Sequence, residues 1–278
     1  MGKSGRKRTL AVLAGEITDR PTRGEIWPLP GGGTADENIA VAKELGTDFC
    51  FFDHLPGSIG KTHALGLAAG AVINGPWQRW MIDVGWENAL LSLARVADGV
   101  QQGLGAAAAL VEKELSEWAS TGVDMVVLAD DIAYAGGPYM SPQQLDKYLI
   151  PLYRKLSLQA SNFGIAMGFH TDGCVDLVLP LLKEADFRFY SLEPEGTDPL
   201  RAWDLLGKAP LLSGLPAAWL MPGGFFPTRE GKILREWLRA GPLVLSSACG
   251  LYHADAKKAL LEIYQWLDDE KIFGQGEK

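Results

Sequence analysis

At 278 residues the chain is longer than a usual lone domain of about 100–200 residues, and it has about the length of an α/β barrel folded as one unit. With 47% apolar and 22% charged residues it can bury a sizeable core, which excludes a disordered or low-complexity chain. A formal net charge of −8 argues against nucleic acid and anionic membranes as partners, since both want a basic face, and an anionic substrate would need a local arginine cluster.

The N-terminus, with Lys3, Arg6, Lys7 and Arg8 ahead of Leu10 to Ala14, imitates a signal peptide. Its apolar stretch is short and runs into Glu16, Asp19, Arg20 and Arg23, so the segment is read as an amphipathic helix. The longest weakly polar stretches, Ala64 to Ile73 and Leu104 to Val111, fall short of the ~20 apolar residues that span a bilayer. Only three cysteines occur, Cys50, Cys174 and Cys249, an odd and sparse count that points to a reducing, cytoplasmic compartment rather than a disulfide scaffold.

Along the chain, short β-rich runs alternate with helical stretches. Strands are predicted near 24–28, 48–53, 70–74, 124–129, 165–170, 187–192, 210–214 and 243–248. Between them, Ile39, Ala42 and Leu45 mark one helix, and Ala89 to Trp118 has room for two. Pro142 to Phe163 carries Leu145, Tyr148, Leu149, Leu152 and Leu156 at three- and four-residue spacings. Ser141-Pro142 reads as an N-cap with proline at the first helical position, and Thr228-Arg229-Glu230 as another helix start. Eight strand-then-helix units predict an α/β fold, a single (β/α)8 TIM-type barrel, over an open doubly wound sheet. With no linker and no repeat, residues 1–278 are read as one domain, 1–23 being its N-terminal helix and lead-in. Gly31 to Gly33 and Pro222 to Pro227 are expected as loops after the first and seventh strands.

In such a barrel the loops after the strands form the active face, so strand ends are where chemistry is sought. Those positions hold Asp53 and His54, Asp130 and Asp131, His170 and Asp172, Glu193, and Cys249. Any one of them alone can equally cap a helix or make a turn. Alternation along a strand turns His170 and Asp172 to the same side, either as a hydrogen-bonded pair or as metal ligands. Cys249 would then supply a third ligand, with Cys174 as a rival that is expected to begin the next helix. Asp130 and Asp131 point opposite ways; Asp131 is taken for the pocket and proton transfer, and Asp130 for backbone or an arginine. Tyr139 either offers its phenol to a substrate or packs over the barrel mouth. Trp27 and Trp77, with Asp53, are read as substrate-binding, although core packing is the default for most of the nine tryptophans. Gly57-Ser-Ile-Gly60-Lys61-Thr62 ends like a phosphate-binding loop, but Leu55 stands where its first glycine is required.

The phrases, in order, resemble the uroporphyrinogen decarboxylase superfamily. Arg8 to Arg20 is similar to its opening helix, and Val72-Ile-Asn-Gly-Pro-Trp77 to its third-strand turn. Gly122 to Asp131 followed by Gly137-Pro-Tyr-Met-Ser-Pro142 resembles its central strand and loop, and Gly168-Phe-His-Thr-Asp-Gly173, Leu179-Pro-Leu-Leu and Leu192-Glu-Pro194 continue the likeness over nearly the whole chain. The resemblance implies a (β/α)8 barrel. It also divides in two. True decarboxylases carry an arginine-rich N-terminal segment, and here Glu25-Ile-Trp-Pro-Leu-Pro-Gly-Gly-Gly33 has neither arginine.

The cobalamin-dependent methyltransferase branch holds zinc with a histidine, a cysteine two residues later and a late cysteine. His170 and Cys249 match the first and last, and Asp172 replaces the middle one. The resemblance therefore implies a zinc-assisted methyltransferase that moves a methyl group between a small substrate and a corrinoid carried by a partner protein. His170, Asp172 and Cys249 would hold zinc, and Asp131, Glu193 and Tyr139 would serve as catalytic or positioning groups. A cofactor-independent decarboxylase is the alternative, and a non-catalytic barrel that binds a tetrapyrrole or corrinoid is the second.

Overall fold

The computed structural model describes residues 3–16, 18–29, 32–55, 58–96, 99–252 and 255–270. Eight strands are formed, seven of them where hydrophobic runs were read and the first just ahead of its predicted run: β1 (Thr22–Arg23), β2 (Phe49–Phe52), β3 (Ala68–Asn74), β4 (Met125–Ala129), β5 (Ala166–Thr171), β6 (Phe189–Leu192), β7 (Leu211–Gly214) and β8 (Leu243–Ser246). They belong to one sheet in the order β1-β8-β7-β6-β5-β4-β3-β2, the cyclic order of a (β/α)8 barrel. Their residues are buried almost throughout, as strands covered on both faces must be. Among the described residues no helix is long and apolar enough to cross a membrane. By their contacts the residues group into two compact units, one made of Met1–Gly70 with Lys208–Lys278 and the other of Ala71–Gly207.

In the first unit β8 lies parallel between β1 and β7, with Thr22 opposite Val244 and Leu243 opposite Leu211. β1 is shorter than the run 24–28 suggests. Gly24 N still donates to Leu245 O at 3.0 Å, but the Glu25 carboxylate then turns to Ser247 and the chain leaves the ladder. The N-terminal helix, Gly5–Leu13, starts at a Ser4 cap and buries Arg8. The Arg8 and Arg20 guanidiniums close on the buried Asp48 carboxylate at 2.6 and 2.8 Å, and Arg23 N adds a third donor at 3.0 Å. The helix Glu230–Ala240 begins two residues after Thr228, and it is Glu230, accepting from Phe226 N at 3.0 Å, that ties its start down rather than a threonine cap. The 222–227 stretch is a loop, as read. Pro30, Gly31 and Gly57, which fall in the two glycine-bearing loops of the sequence reading, lie outside the described residues.

In the second unit β5 lies parallel between β4 and β6. The two helices predicted over Ala89 to Trp118 are present as Trp86–Ala94 and Gly99–Ala119, and a further helix, Pro76–Val84, precedes them. Gly85, at φ +87°, makes the break between Pro76–Val84 and Trp86–Ala94, a conformation that side chains resist. The stretch 142–163 also forms two helices, Pro142–Tyr148 and Ile150–Asn162, because Pro151 has no N–H for the Lys147 carbonyl. Ser141 does cap the first of them, in a reciprocal box with Gln144.

Gly168, in the middle of β5, lies under the Phe189 ring of β6: a Cβ at that position would come within 2.2 Å of the ring. On the other face of the same strands, Tyr153, Phe169, Phe187 and Tyr190 form an aromatic layer. Gly168→Ala is expected to destabilise the protein by about 1–3 kcal/mol through overpacking. Urea unfolding measures this, and a midpoint equal to the wild type would show that the ring yields freely.

Candidate metal and catalytic site

The parallel register of β4, β5 and β6 sets His170 beside Ala129 on one side and Ser191 on the other. His170 is buried, and its Nδ1 lies 3.0 Å from Ser191 Oγ. This turns Nε2 to the carboxylates that follow the strands, 3.4 Å from Asp172 Oδ1 and 4.0 Å from Asp131 Oδ1. Asp172 N donates to Asp131 Oδ1 at 3.2 Å, which brings the two acids together. Thr171, between the two same-side residues, points the other way and accepts from Ile132 N at 3.1 Å. One ligating atom each from Asp131, His170 and Asp172 therefore lie within 4.8 Å of one another.

Two features of this trio ask for a cation. Asp172 Oδ1 is buried and has no hydrogen-bond partner, which is costly for a carboxylate oxygen. Burial and the neighbouring Asp172 charge also push the Asp131 carboxyl above the usual range, with His170 pulling the other way. Glu193, half-buried after β6, is likewise raised by burial and then by Asp172, and its Oε2 accepts from Gly173 N at 3.2 Å. One imidazole and two carboxylates form an acceptable donor set for a divalent ion such as zinc, with further positions left for other ligands.

An aromatic wall adjoins the acids. Tyr139 stacks on Tyr134 at 5.5 Å and meets the Trp86 ring edge-on at 4.8 Å. Burial raises the Tyr139 phenol, and the charges of Asp131 and Asp172 add to it, so the phenol keeps its proton beside them. The short ribbon of Ala133–Tyr134 with Gly137–Pro138 holds this wall in place, and Cys174 N donates to Tyr134 O at 3.0 Å. Cys174 thus lies in the loop after β5; the next helix starts at Leu179, five residues beyond the place expected for it.

Asp130 takes the structural part that alternation assigned to it. It is fully buried and accepts from Gln78 N at 2.6 Å, Trp77 N at 3.1 Å and the Tyr153 hydroxyl at 2.7 Å. Trp77, read as substrate-binding, has no exposed surface and packs on Trp80 at 5.7 Å, so its place is the core. It follows Gly75-Pro76 at a helix start whose N–H groups face Asp130, and that turns its ring inward.

The remaining candidates belong to the first unit. Asp53 is exposed beyond β2, and Trp27 is half-buried with its carbonyl accepting from Leu251 N at 3.1 Å. Cys249 is buried on the turn after β8, between Ala248 at φ +62° and Gly250 at φ +91°. Beneath that turn the fully buried Glu25 accepts from Ser247 Oγ at 2.6 Å and Ser247 N at 3.1 Å, and burial pushes its carboxyl up to about 7. Burial also pushes the Cys50 thiol up to about 12, in keeping with a strand filler.

Sequence reasoning passed over Glu25 and Ser191. Glu25 was hidden because it was placed inside the first strand rather than at its end. Ser191 had a signal: it lies two residues before Glu193 and so shares its side of the strand.

No family model matches the chain, and no curated protein matches it. Solved structures do. A methyltransferase from Methanosarcina mazei matches with a TM-score of 0.77 at 14% identity, over 96% of this chain and 99% of that one. An L-ribulose 3-epimerase matches at TM-score 0.56 and 13% identity, over 93% and 99%. A D-psicose 3-epimerase with D-tagatose from Clostridium cellulolyticum H10 matches at 0.54 and 13%, over 90% and 98%. At these identities the likeness is one of fold.

Asp130 gives the site a pH signature. Burial, against its hydrogen bonds, pushes its carboxyl up to about 7, whereas in the unfolded chain it ionises near 3.8. Between those values the folded state holds a proton that the unfolded state releases, so this group's contribution to stability is present at low pH and is lost as pH rises through the window, by up to about 4 kcal/mol. Urea unfolding of wild type and Asp130→Asn at pH 5, 6, 7 and 8 is expected to show the wild type losing stability relative to the variant as pH rises. Parallel curves would refute it.

Proposed function

We propose that the chain is a metal-assisted methyltransferase that moves a methyl group between a small substrate and a corrinoid carried by a partner protein. The observation that carries the metal is the convergence of Asp131, His170 and Asp172 around a buried carboxylate oxygen with no hydrogen-bond partner. Methyl transfer comes from the sequence resemblance, and the overall fold is that of a methyltransferase over nearly both chain lengths. A bound zinc ion would act as a Lewis acid on the heteroatom whose bond to methyl is made or broken.

The chain's own residues supply orientation and proton handling. His170 presents Nε2, and Asp131 and Asp172 offset the charge of a divalent ion. Glu193, one oxygen fixed by Gly173 N, is placed to hold or move a proton on the substrate heteroatom. Tyr139, kept protonated, offers a donor, and with Trp86 and Tyr134 it gives the substrate a wall to lie against. The carboxylates around these groups are ill suited to a polycarboxylate, and the arginine segment of the true decarboxylases is missing, so the decarboxylase reading is the weaker one.

Metal analysis tests the first half: about one equivalent of zinc is expected in chelator-free wild type, with loss of most of it in His170→Ala and Asp172→Ala. Zinc below about 0.1 equivalent in folded wild type would sink the metal proposal. The resemblance also implies the Cys249 thiolate as a ligand, and full metal retention in Cys249→Ala would remove it from the set. For the second half, anaerobic mixing with cob(I)alamin and a panel of methylated alcohols, ethers, thiols and amines is expected to give the methylcobalamin spectrum with at least one donor. Glu193→Gln should slow that reaction by about 100-fold. Conversion of uroporphyrinogen, with no donor active, would establish the decarboxylase instead, and tight corrinoid binding with no turnover would establish the carrier.

A further inference from the structure

We infer that Ser191 is the positioning residue of this site: its hydroxyl fixes the His170 ring in both the metal-free and the metal-bound state by reversing the direction of one hydrogen bond. The inference rests on the proposed metal role of His170, and it follows from the placement of two atoms. Ser191 stands in β6, fully buried between Tyr190 and Leu192, where a hydroxyl without a partner would be destabilising. It is the register neighbour of His170 on the parallel strand, and its Oγ meets Nδ1 at 3.0 Å. With Nδ1 held there, the opposite edge of the ring faces the acids, and Nε2 lies 3.4 Å from Asp172 Oδ1.

An ionised carboxylate only accepts. Nε2 facing Asp172 and Asp131 therefore needs either its own hydrogen or a cation in the space between. In the first case the Nε2–H tautomer of the ring leaves a lone pair at Nδ1, and Ser191 donates to it. In the second Nε2 gives its lone pair to the cation, Nδ1 carries the hydrogen, and Ser191 must accept. A hydroxyl does both by rotating its one hydrogen. A carbonyl or a carboxylate at the same position would serve only the metal-bound state, and an alanine neither. The serine thus keeps the ring in place while metal enters and leaves, and that accounts for a hydroxyl in an otherwise apolar strand segment.

The test combines metal affinity with the state of the ring. The zinc dissociation constant is measured by competition with a chromophoric chelator for wild type, Ser191→Ala, Ser191→Thr and His170→Ala, with thermal unfolding of each metal-free protein alongside. Ser191→Ala is expected to weaken zinc binding by about 10- to 100-fold, the usual effect of losing a partner behind a metal-bound histidine, and Ser191→Thr to recover part of it. In parallel, nitrogen-15 spectra of the imidazoles, with His170 assigned by its loss in His170→Ala, should show the Nε2–H form without metal and the Nδ1–H form with zinc in the wild type. Without metal, Ser191→Ala should show a mixture of the two forms.

If His170→Ala itself leaves zinc binding unchanged, the metal reading fails, yet a metal-free His170 signal that shifts in Ser191→Ala still supports the hydrogen bond. If His170→Ala abolishes binding while Ser191→Ala binds as the wild type does and its His170 signals do not move, the inference about Ser191 is overturned and the metal reading stands. A drop in affinity matched by a large drop in unfolding temperature, with unaltered imidazole signals, would mark Ser191 as a packing residue and overturn the inference as well.

Discussion

The Asp130 carboxylate accepts hydrogen bonds from two backbone N–H groups at the start of the helix Pro76–Val84 and from the Tyr153 hydroxyl on the helix Ile150–Asn162, while its own N–H donates to His170 O at 2.9 Å. One buried side chain thus joins the end of β4 to two helices, and its backbone joins it to β5. A carboxylate with so little water around it tolerates burial only because those donors surround it, and a helix N-terminus is a favourable place for the charge it does carry. Gly75 belongs to the same constraint, since a Cβ there would come within 2.3 Å of the Asp130 carboxyl carbon. With Asp130 anchored inward, the next residue along the extended chain faces the other way, and that residue is Asp131. The candidate functional side chain is placed by the structural one beside it.

Much of this was legible before any coordinates. Alternation alone separates Asp130 from Asp131 and joins His170 to Asp172, because strand geometry has a period of two that a short apolar run reveals. Seven of the eight strand positions follow from the same runs, and the Ser141-Pro142 start follows from capping chemistry. What stayed hidden depended on where an element stops. The end of β1 is decided by Glu25 bonding to residues more than 200 positions away, so no local pattern marks it. Trp77 was misplaced for a similar reason: its direction is set by the helix start that Asp130 captures 53 residues later. The splitting of 142–163 was readable, since Pro151 stands in the sequence, but hydrophobic spacing continues across the break and conceals it.

Fold alone does not choose the chemistry. The same barrel outline is shared with a methyltransferase and with two sugar epimerases, so the site's own atoms must distinguish the readings. What those atoms bear on is charge. Burial and then the Asp172 charge raise the carboxyls of both Asp131 and Glu193, an arrangement that protons or a cation would relieve. His170 Nε2 lies 3.4 Å from Asp172 Oδ1, and a divalent ion bound among these groups would offset the carboxylate charge in one step. An anionic substrate would add to the same repulsion.

Replacing a soft thiolate by Asp172, against the pattern the sequence resembles, changes what such an ion would be good for. Sulfur ligands donate more charge to zinc and leave it a weaker acid; a carboxylate oxygen leaves it harder and better matched to an oxygen donor on the substrate. The surrounding structure agrees with that direction. Asp172 is held by its own backbone on Asp131, and its inner oxygen is left without a hydrogen bond. The departure from the pattern therefore does not read as a ligand lost. On the proposed function it reads as a ligand exchanged, at a strand end where Ser191 Oγ lies 3.0 Å from the imidazole Nδ1 and Gly173 N donates to Glu193.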